Sequence, residues 1–235
     1  WWCACSPPLN AGCSNVTLAD TIETLWVWTP FLASGFVWNI LISLAAMLIG
    51  TLPGIVLARM RLAKRQSLVH ASLVVTELVR NIPTFVFLFY LAFLIPVEFE
   101  FSGQVYAFPA WLKAALALSV AVVGFVSDNL YVAWRHWRED DHAAALLFIP
   151  GWTSYLLIIV MASSTASVIG VDEIVARCNV IIAAVGRDEL MLWIYLYAIS
   201  YFVLFCFPLS RAMEAVKNRM QTRASSALSK KKRES

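Results

Sequence analysis

Five long runs of apolar residues alternate with short polar connections along this chain. A helix needs about 20 mostly apolar residues to cross the roughly 30 Å hydrocarbon core of a bilayer, and each run is close to that length. The runs cover residues 35–58, 68–94, 110–133, 143–161 and 189–209. The pattern predicts an all-α, polytopic membrane protein with about five transmembrane helices.

The polar segments around these runs predict three regions. Residues 1–34 form an extracytoplasmic segment that ends in an interfacial helix, residues 35–210 form the transmembrane domain, and residues 211–235 form a basic cytoplasmic tail. Between the spans, residues 97–110 are predicted to be a loop, and residues around 171–184 an amphipathic helix. The chain begins with Trp1 rather than Met, so we expect a further segment to precede it.

Composition and charge agree with a membrane protein of defined orientation. Of the 235 residues, 60% are hydrophobic and 14% are charged, whereas soluble domains average roughly half apolar and a quarter charged. With the N-terminus outside, seven Lys and Arg residues between 59 and 138 and eight from Arg211 onward lie inside, against three outside. Basic residues concentrate in cytoplasmic loops, so the C-terminus is predicted to be cytoplasmic. Nucleic acid is not needed to explain the terminal lysines.

Four cysteines are predicted to lie on the outer side, where disulfides persist. They are Cys3, Cys5, Cys13 and Cys178. Four cysteines can pair in three ways, and the sequence does not choose among them. Cys206 lies inside the last apolar run and is predicted to be a packing residue.

Polar residues interrupt the second apolar run at Glu77-Leu-Val-Arg-Asn-Ile-Pro83. Glu77 and Arg80 are three residues apart on a predicted helix and can neutralise each other. Pro83 removes a backbone donor, which predicts a bend in the helix. The stretch is therefore interpreted as a bent polar segment facing protein or a water-filled path. The alternative is a helix-end ion pair at the headgroup level without a functional role.

Two stretches resemble the permease subunits of polar amino-acid ABC importers. Residues 75–96 resemble the family's second core helix, which carries Glu-x-x-Arg-(Gly/Asn)-x-Pro before aromatic residues. Ser167-Val-Ile-Gly-Val-Asp-Glu173 is similar to the family's Ser-x-Ile-Gly-x-x-Glu. The resemblance implies a type I ABC permease fold with a path between the second, fourth and fifth spans. The implied path candidates are Glu77, Arg80, Asn81, Thr84, Ser163, Ser164 and Ser167. The serines could instead form hydrogen bonds between helices.

The cytoplasmic loop departs from the family pattern. The family places Glu-Ala-Ala-x-x-x-Gly on a coupling helix that docks into an ATPase, whereas this chain has His142, Ala143 and Ala144, with Phe148 in place of the glycine. About two dozen family residues are missing beyond this motif, so residues 143–161 must themselves cross the membrane. Binding to an ATPase would then depend on Arg135, Trp137 and the acids that follow them. Those acids are also consistent with a solvated turn.

These features suggest three functions. The first is a permease subunit in a bacterial inner membrane, with a second permease-like subunit, an ABC ATPase and a solute-binding protein as partners. The second is a transport-inactive, permease-derived structural subunit of another membrane complex. An ion channel or secondary carrier is the weakest, because we find no ring-forming charged repeat and no inverted repeat. The histidines and cysteines lack metal-ligand spacing, and no phosphate-binding glycine loop is present, so we expect no metal, no cofactor and no enzyme activity.

Overall fold

The computed structural model describes residues 18–96, 98–101 and 104–234, which are almost entirely helical. The α-helices are α1 (Leu18–Arg61), α2 (Gln66–Asn81), α3 (Thr84–Leu94), α4 (Ala110–Arg138), α5 (His142–Ala145), α6 (Phe148–Ala162), α7 (Ile174–Val185) and α8 (Met191–Glu234). A 3-10 helix, Ser163–Ile169, continues α6, and another, Asp188–Leu190, precedes α8. The predicted all-α fold class is confirmed.

Four helical segments in the described part of the chain are long and apolar enough to cross a bilayer. They are Thr21–Arg61, Ala110–Arg138, His142–Ile169 and Asp188–Thr222. The pair formed by α2 and α3 makes a fifth segment if it is counted as one span. These segments coincide with the five apolar runs of the sequence.

The first and last helices extend well beyond the predicted spans. Each contains 44 residues, and at 1.5 Å per residue each is about 66 Å long, twice the thickness of a hydrocarbon core. α1 continues without a break through residue 34, where the sequence predicted the end of a separate interfacial helix. α8 likewise continues through the predicted tail to Glu234. Residues 211–234 contain neither glycine nor proline, which explains why the helix does not end at the basic segment.

A sharp break separates α2 from α3. The two helices are bent by 91° relative to each other. Ile82 is extended, with φ −86° and ψ 125°, and Pro83 begins α3. The ring of a proline disfavours the helical conformation in the residue before it, so Ile82 ends α2. The predicted bend at Pro83 is confirmed, but it turns the chain rather than kinking one continuous helix.

The hydrophobic core is built mainly on the contact between α1 and α4. Gly50 and Gly54 lie one turn apart on α1 and face α4. A Cβ atom on Gly50 would lie 2.4 Å from the Ser119 carbonyl oxygen, and one on Gly54 would lie 2.7 Å from the Val126 Cβ. Small residues at a membrane-helix interface let two backbones approach closely, and these two glycines have that role between α1 and α4.

The predicted loop between residues 97 and 110 contains a hairpin. Strand β1 (Glu98–Phe101) pairs antiparallel with β2 (Gln104–Ala107), and Glu98 lies opposite Ala107. Acidic and aromatic residues alternate along β1, which is the period-two pattern of a strand. The sequence predicted a connecting loop here but not the hairpin that it contains.

The predicted amphipathic helix after the fourth span is confirmed as α7. It starts three residues later and ends one residue later than predicted. The Glu173 side chain accepts hydrogen bonds from two backbone N–H groups at its first turn. Gly186, with φ 64°, ends the helix in a left-handed conformation that glycine adopts without strain. Glu173 belongs to the Ser-x-Ile-Gly-x-x-Glu motif, so the motif serves here to start a helix.

Candidate functional site

A cavity of about 390 Å³ lies where α2 and α3 meet α4 and α6. Polar and aromatic groups that line it are Arg80, Thr84, Phe125, Asp128, Asn129 and Tyr155. The Tyr155 ring stacks on Phe125 with centroids 4.0 Å apart, and its hydroxyl donates to the Ala121 carbonyl oxygen at 3.2 Å. The break at Pro83 therefore opens a polar cavity inside an otherwise apolar bundle.

Arg80 pairs with Asp128 on α4, at 3.3 Å, rather than with Glu77. The predicted Glu77–Arg80 pair was wrong, since Glu77 is exposed and belongs to no ion pair that the structure describes. Helix spacing puts Glu77 and Arg80 on one face of α2. However, α2 packs closely against α4 at Gly124, where an added Cβ would lie 3.7 Å from the Arg80 Cβ. Arg80 therefore reaches a carboxylate on the neighbouring helix.

Asp128 also binds Arg61 at the end of α1. The Arg61 Nη1 atom lies 2.8 Å from an Asp128 carboxylate oxygen, and the Arg61 side chain is only 9% exposed. Its Nε is buried without a hydrogen-bond partner among the described residues. One carboxylate thus joins α1, α2 and α4, and it carries one negative charge against two positive charges. We call Arg61, Arg80 and Asp128 the inner charge cluster.

Asp128→Asn is expected to lower the free energy of unfolding by about 3 kcal/mol, because Arg61 would stay buried without a carboxylate. Arg80→Ala is the matched comparison. It is expected to lower the free energy of unfolding by less than about 1 kcal/mol, because the Arg80 side chain is 65% exposed. Denaturant titration of the purified protein in detergent measures both. Equal losses in the two variants would contradict this division of roles.

The remaining path candidates of α2 lie outside this cavity. Glu77 and Asn81 are exposed, and neither lines the cavity. Thr76, which the sequence did not single out, is buried against α4 and shares a hydrogen bond of 2.9 Å with Ser127. The structure therefore brings Arg80 and Thr84 together in the cavity but places Glu77 and Asn81 elsewhere on α2.

The serine candidates occupy a second polar cluster, built around Asn39 of α1. Asn39 and Arg61 are 22 residues apart on α1, which corresponds to about 33 Å along a helix. The Asn39 amide nitrogen donates to the Ser163 hydroxyl and to the Glu173 carboxylate, both at 2.9 Å. Its carbonyl oxygen accepts from the Ile174 N–H at 3.2 Å. We call Asn39, Ser163 and Glu173 the outer polar cluster.

The three serines have local structural partners. Ser163 donates to the Val160 carbonyl oxygen at 2.8 Å, Ser164 to that of Met161 at 2.8 Å, and Ser167 to that of Ser164 at 3.1 Å. Among the described contacts, only Ser163, which accepts from Asn39 of α1, forms the hydrogen bond between helices that was the alternative for these serines; the bonds of Ser164 and Ser167 stay within their own segment. Of the sequence-predicted candidates, Arg80 thus belongs to the inner charge cluster and Ser163 to the outer polar cluster, whereas Glu77, Asn81 and Ser164 belong to neither.

Glu173 is completely buried, and its carboxylate is well supplied with donors. The N–H groups of Val175 and Ala176 both donate to one carboxylate oxygen at 3.1 Å. Burial raises the pKa of Glu173 above its ordinary value of 4.5, although the hydrogen bonds from Asn39 and the backbone lower it. Desolvation of the charged form is the larger effect.

The stability of the fold should decrease as the pH rises from about 4.5, because Glu173 then loses its proton more readily in the unfolded chain than in the folded one. A raised pKa means that the folded state keeps the proton over a pH range in which the unfolded state has released it. The difference in free energy of unfolding between wild type and Glu173→Gln, measured in detergent from pH about 4 to about 8, isolates this contribution. If the wild type instead became more stable relative to Glu173→Gln as the pH rises, the raised pKa of Glu173 would be contradicted.

Arg177 fixes α7 against α1 beside this cluster. It pairs with Asp172 at 2.9 Å and donates to the Phe31 carbonyl oxygen at 2.7 Å and to the Ser34 hydroxyl. Its guanidinium also lies 4.7 Å from the centre of the Phe31 ring. Gly35 leaves room for the arginine, since a Cβ there would lie 2.7 Å from the Arg177 Cδ.

The predicted coupling-loop residues form a compact turn between α4 and α5. Arg135 pairs with Glu139 at 3.7 Å, and the Trp137 ring packs on His142 with centroids 4.4 Å apart. Asp140 adopts φ 61°, a conformation that Asp tolerates better than most residues. Ala143 and Ala144 belong to α5, which has four residues. Residues 142–169 are long and apolar enough to cross a bilayer, as the sequence predicts.

The cysteine prediction is tested only at Cys178. This thiol is completely buried in α7, and burial together with the nearby Glu173 raises its pKa to about 12. Within the described residues, Cys178 and Cys206 are free thiols, and Cys206 packs against the apolar cluster around α7 and α8. Cys3, Cys5 and Cys13 lie outside the described residues.

Sequence reasoning missed the central members of both clusters. Neither Asp128 nor Asn39 was among the candidates that the sequence indicated. An Asn inside an apolar run is costly in a bilayer unless it has partners, and this signal could have identified Asn39.

Comparison with known proteins identifies the fold. No model of a known protein family matches this chain, and no curated protein matches it significantly. Among solved structures, it is similar to a crystal structure of an amino acid ABC transporter with histidines, with a TM-score of 0.67. The chain has an ABC permease-like fold. The similarity covers 84% of this chain and 97% of the other, at 16% sequence identity, so it describes the fold and not the substrate.

Proposed function

We propose that this chain is a transmembrane permease-like subunit of a membrane complex of the amino-acid importer type. In this proposal the cavity at the α2–α3 break forms part of a substrate path. The observation that carries the proposal is the polar lining of this cavity, where Arg80, Thr84 and Asn129 face an otherwise apolar bundle. Polar and ionisable groups inside a membrane domain are costly, and they commonly mark a path for substrates or ions.

The inner charge cluster favours a substrate that carries a carboxylate. Arg61 and Arg80 share the single carboxylate of Asp128, so the cluster has an excess of one positive charge. Arg80 is largely exposed and can present a guanidinium to a second carboxylate, for which arginine has bidentate geometry. The hydroxyl of Thr84 and the amide of Asn129 offer acceptors for an ammonium group.

The proposed assembly contains a second permease-like subunit, an ABC ATPase and a solute-binding protein in a bacterial inner membrane. The N-terminus would lie outside and the C-terminus inside, in agreement with the distribution of basic residues. ATP hydrolysis would belong to the ATPase.

A second candidate function is a transport-inactive structural subunit of another membrane complex. The observation that favours it is the short connection between α4 and α5, which consists of residues 139–141. A degenerate coupling loop of this size offers an ATPase little surface, and closure of an ATPase dimer would then move this subunit weakly.

Purification of the tagged full chain in a mild detergent, followed by mass spectrometry of the co-purifying subunits, distinguishes the two functions. The permease proposal expects a nucleotide-binding subunit and a second permease-like subunit in stable amounts. A stable complex with other membrane proteins and without a nucleotide-binding subunit would instead support the structural role.

Uptake by the reconstituted complex then tests the cavity itself. Arg80→Ala is expected to reduce ATP-dependent amino-acid uptake at least tenfold, equivalent to about 1.4 kcal/mol, while the subunits still assemble. Arg65→Ala is the matched control, because Arg65 is also exposed but does not line this cavity. Unchanged uptake by Arg80→Ala in an assembled complex would show that the path lies elsewhere.

A further inference from the structure

A second cavity, of about 320 Å³, lies between the ends of α4, α6 and α8. Its polar lining groups are Asn129, His136, Ser154 and Lys217, and its apolar lining includes Leu147 and Gly151. Residues of α4, α5, α6 and α8 therefore line a space that has both polar and apolar walls.

The polar side of this cavity is suited to an anion. Lys217 forms no hydrogen bond or ion pair with a residue that the structure describes, and no described residue lining the cavity is acidic. One lining residue has an acidic partner: the His136 Nδ1 lies 3.7 Å from the Asp141 carboxylate, which also accepts a hydrogen bond from the Ala144 N–H at 3.2 Å. The cavity thus presents an ammonium and an imidazole, whereas the Ser154 hydroxyl already donates to the Pro150 carbonyl oxygen and the Asn129 amide to that of Phe125.

The position of the cavity points to a lipid rather than a soluble anion. It lies at the ends of the apolar helices, near the basic residues Arg135, Arg138 and Arg211. The exposed Trp137 belongs to the same end of α4, and tryptophan side chains favour the level of the headgroups. Basic pockets between membrane helices bind anionic headgroups, and the apolar wall can accept the glycerol and upper acyl region.

We propose that this cavity binds the phosphate of an anionic phospholipid at the basic face of the membrane, with Lys217 and His136 as the phosphate contacts. The proposal requires that the chain lies in a bilayer but does not require that it transports anything. A negative result for transport would therefore leave it unaffected.

Native mass spectrometry of the full chain in detergent tests the proposal. The protein is titrated with dioleoyl phosphatidylglycerol, which is anionic, or with dioleoyl phosphatidylcholine, which is zwitterionic. The wild type is expected to bind phosphatidylglycerol more tightly, and Lys217→Gln should weaken that binding about fivefold, the contribution of one basic residue at a membrane surface. Arg219→Gln is the matched control, because Arg219 is exposed on the same helix and does not line the cavity.

A second variant tests the cavity rather than the surface charge. Gly151→Leu adds a side chain without changing the charge, and a Cβ at Gly151 would meet only the Phe125 ring, at 4.0 Å. This variant should fold and should bind phosphatidylglycerol at least fivefold more weakly than Gly151→Ala, because the leucine fills the lipid site.

Three results would overturn the proposal. Equal weakening by Lys217→Gln and Arg219→Gln would indicate diffuse attraction to the helix surface. Equal binding of the two lipids would exclude recognition of net negative charge. Displacement of phosphatidylglycerol by inorganic phosphate at equal concentration would identify the site as one for a soluble anion.

Discussion

Gly50→Ala is expected to lower the free energy of unfolding by about 3 kcal/mol, the upper end of the usual range for overpacking a core. The added Cβ would lie 2.4 Å from the Ser119 carbonyl oxygen and 2.6 Å from the Val122 Cβ. The first of these atoms belongs to the backbone of α4, which cannot rotate away as a side chain can. The two helices would have to separate along the contact on which the core is built. Denaturant titration in detergent measures the loss.

Gly151→Ala is the matched control for that prediction. Gly151 is also helical, but the nearest atom to an added Cβ is 4.0 Å away, an ordinary van der Waals distance. The substitution should be neutral or should stabilise by up to about 1 kcal/mol, since alanine favours helix over glycine. Similar destabilisation by the two variants would mean that the close approach of α1 and α4 does not set the stability of the bundle.

Glu173→Ala is expected to lower the free energy of unfolding by about 3 kcal/mol. About 1 kcal/mol comes from the lost cap of α7, and the rest from buried donors left without an acceptor. The donors are the backbone N–H groups of Val175 and Ala176 and the side-chain amide of Asn39. Hydrogen exchange of α7 should accelerate in parallel, because that helix depends on the cap.

The behaviour of Glu173→Gln separates the cap from the contact with Asn39. Glutamine can still accept from the first turn of α7, but its own N–H₂ group would face the Asn39 amide nitrogen, which is also a donor. An intermediate loss is therefore expected. Ser164→Ala is the control, because Ser164 donates only to a carbonyl oxygen one turn away in the same segment. A larger loss for Ser164→Ala than for Glu173→Ala would contradict the role of the buried carboxylate.

The outer polar cluster has a structural role, whereas the inner charge cluster belongs to the proposed substrate path. In the outer polar cluster the Asn39 side-chain nitrogen donates to Ser163 and to Glu173, and its side-chain oxygen accepts from the Ile174 N–H. The inner charge cluster leaves Arg80 exposed beside a cavity and carries excess positive charge. A closed network of this kind holds helices in place, whereas an open one can receive a ligand. The inner cluster is therefore the better target for transport experiments.

The sequence by itself determined the membrane spans, the bend at Pro83 and the presence of a helix after the fourth span, although not where that helix starts. The first two features follow from local physics: the length of an apolar run and the missing N–H group of proline. The same local argument misled at Glu77, because helix spacing shows which residues share a face but not which neighbouring helix that face meets.

Only the tertiary structure decided which polar groups meet. Arg80 and Asp128 are 48 residues apart in the chain, and Asn39 and Glu173 are 134 residues apart. Such contacts depend on the rotation of each helix about its axis and on the distance between neighbouring backbones. Glycines at a few positions set that distance here. The residue pattern of one helix does not show how a neighbouring helix is rotated.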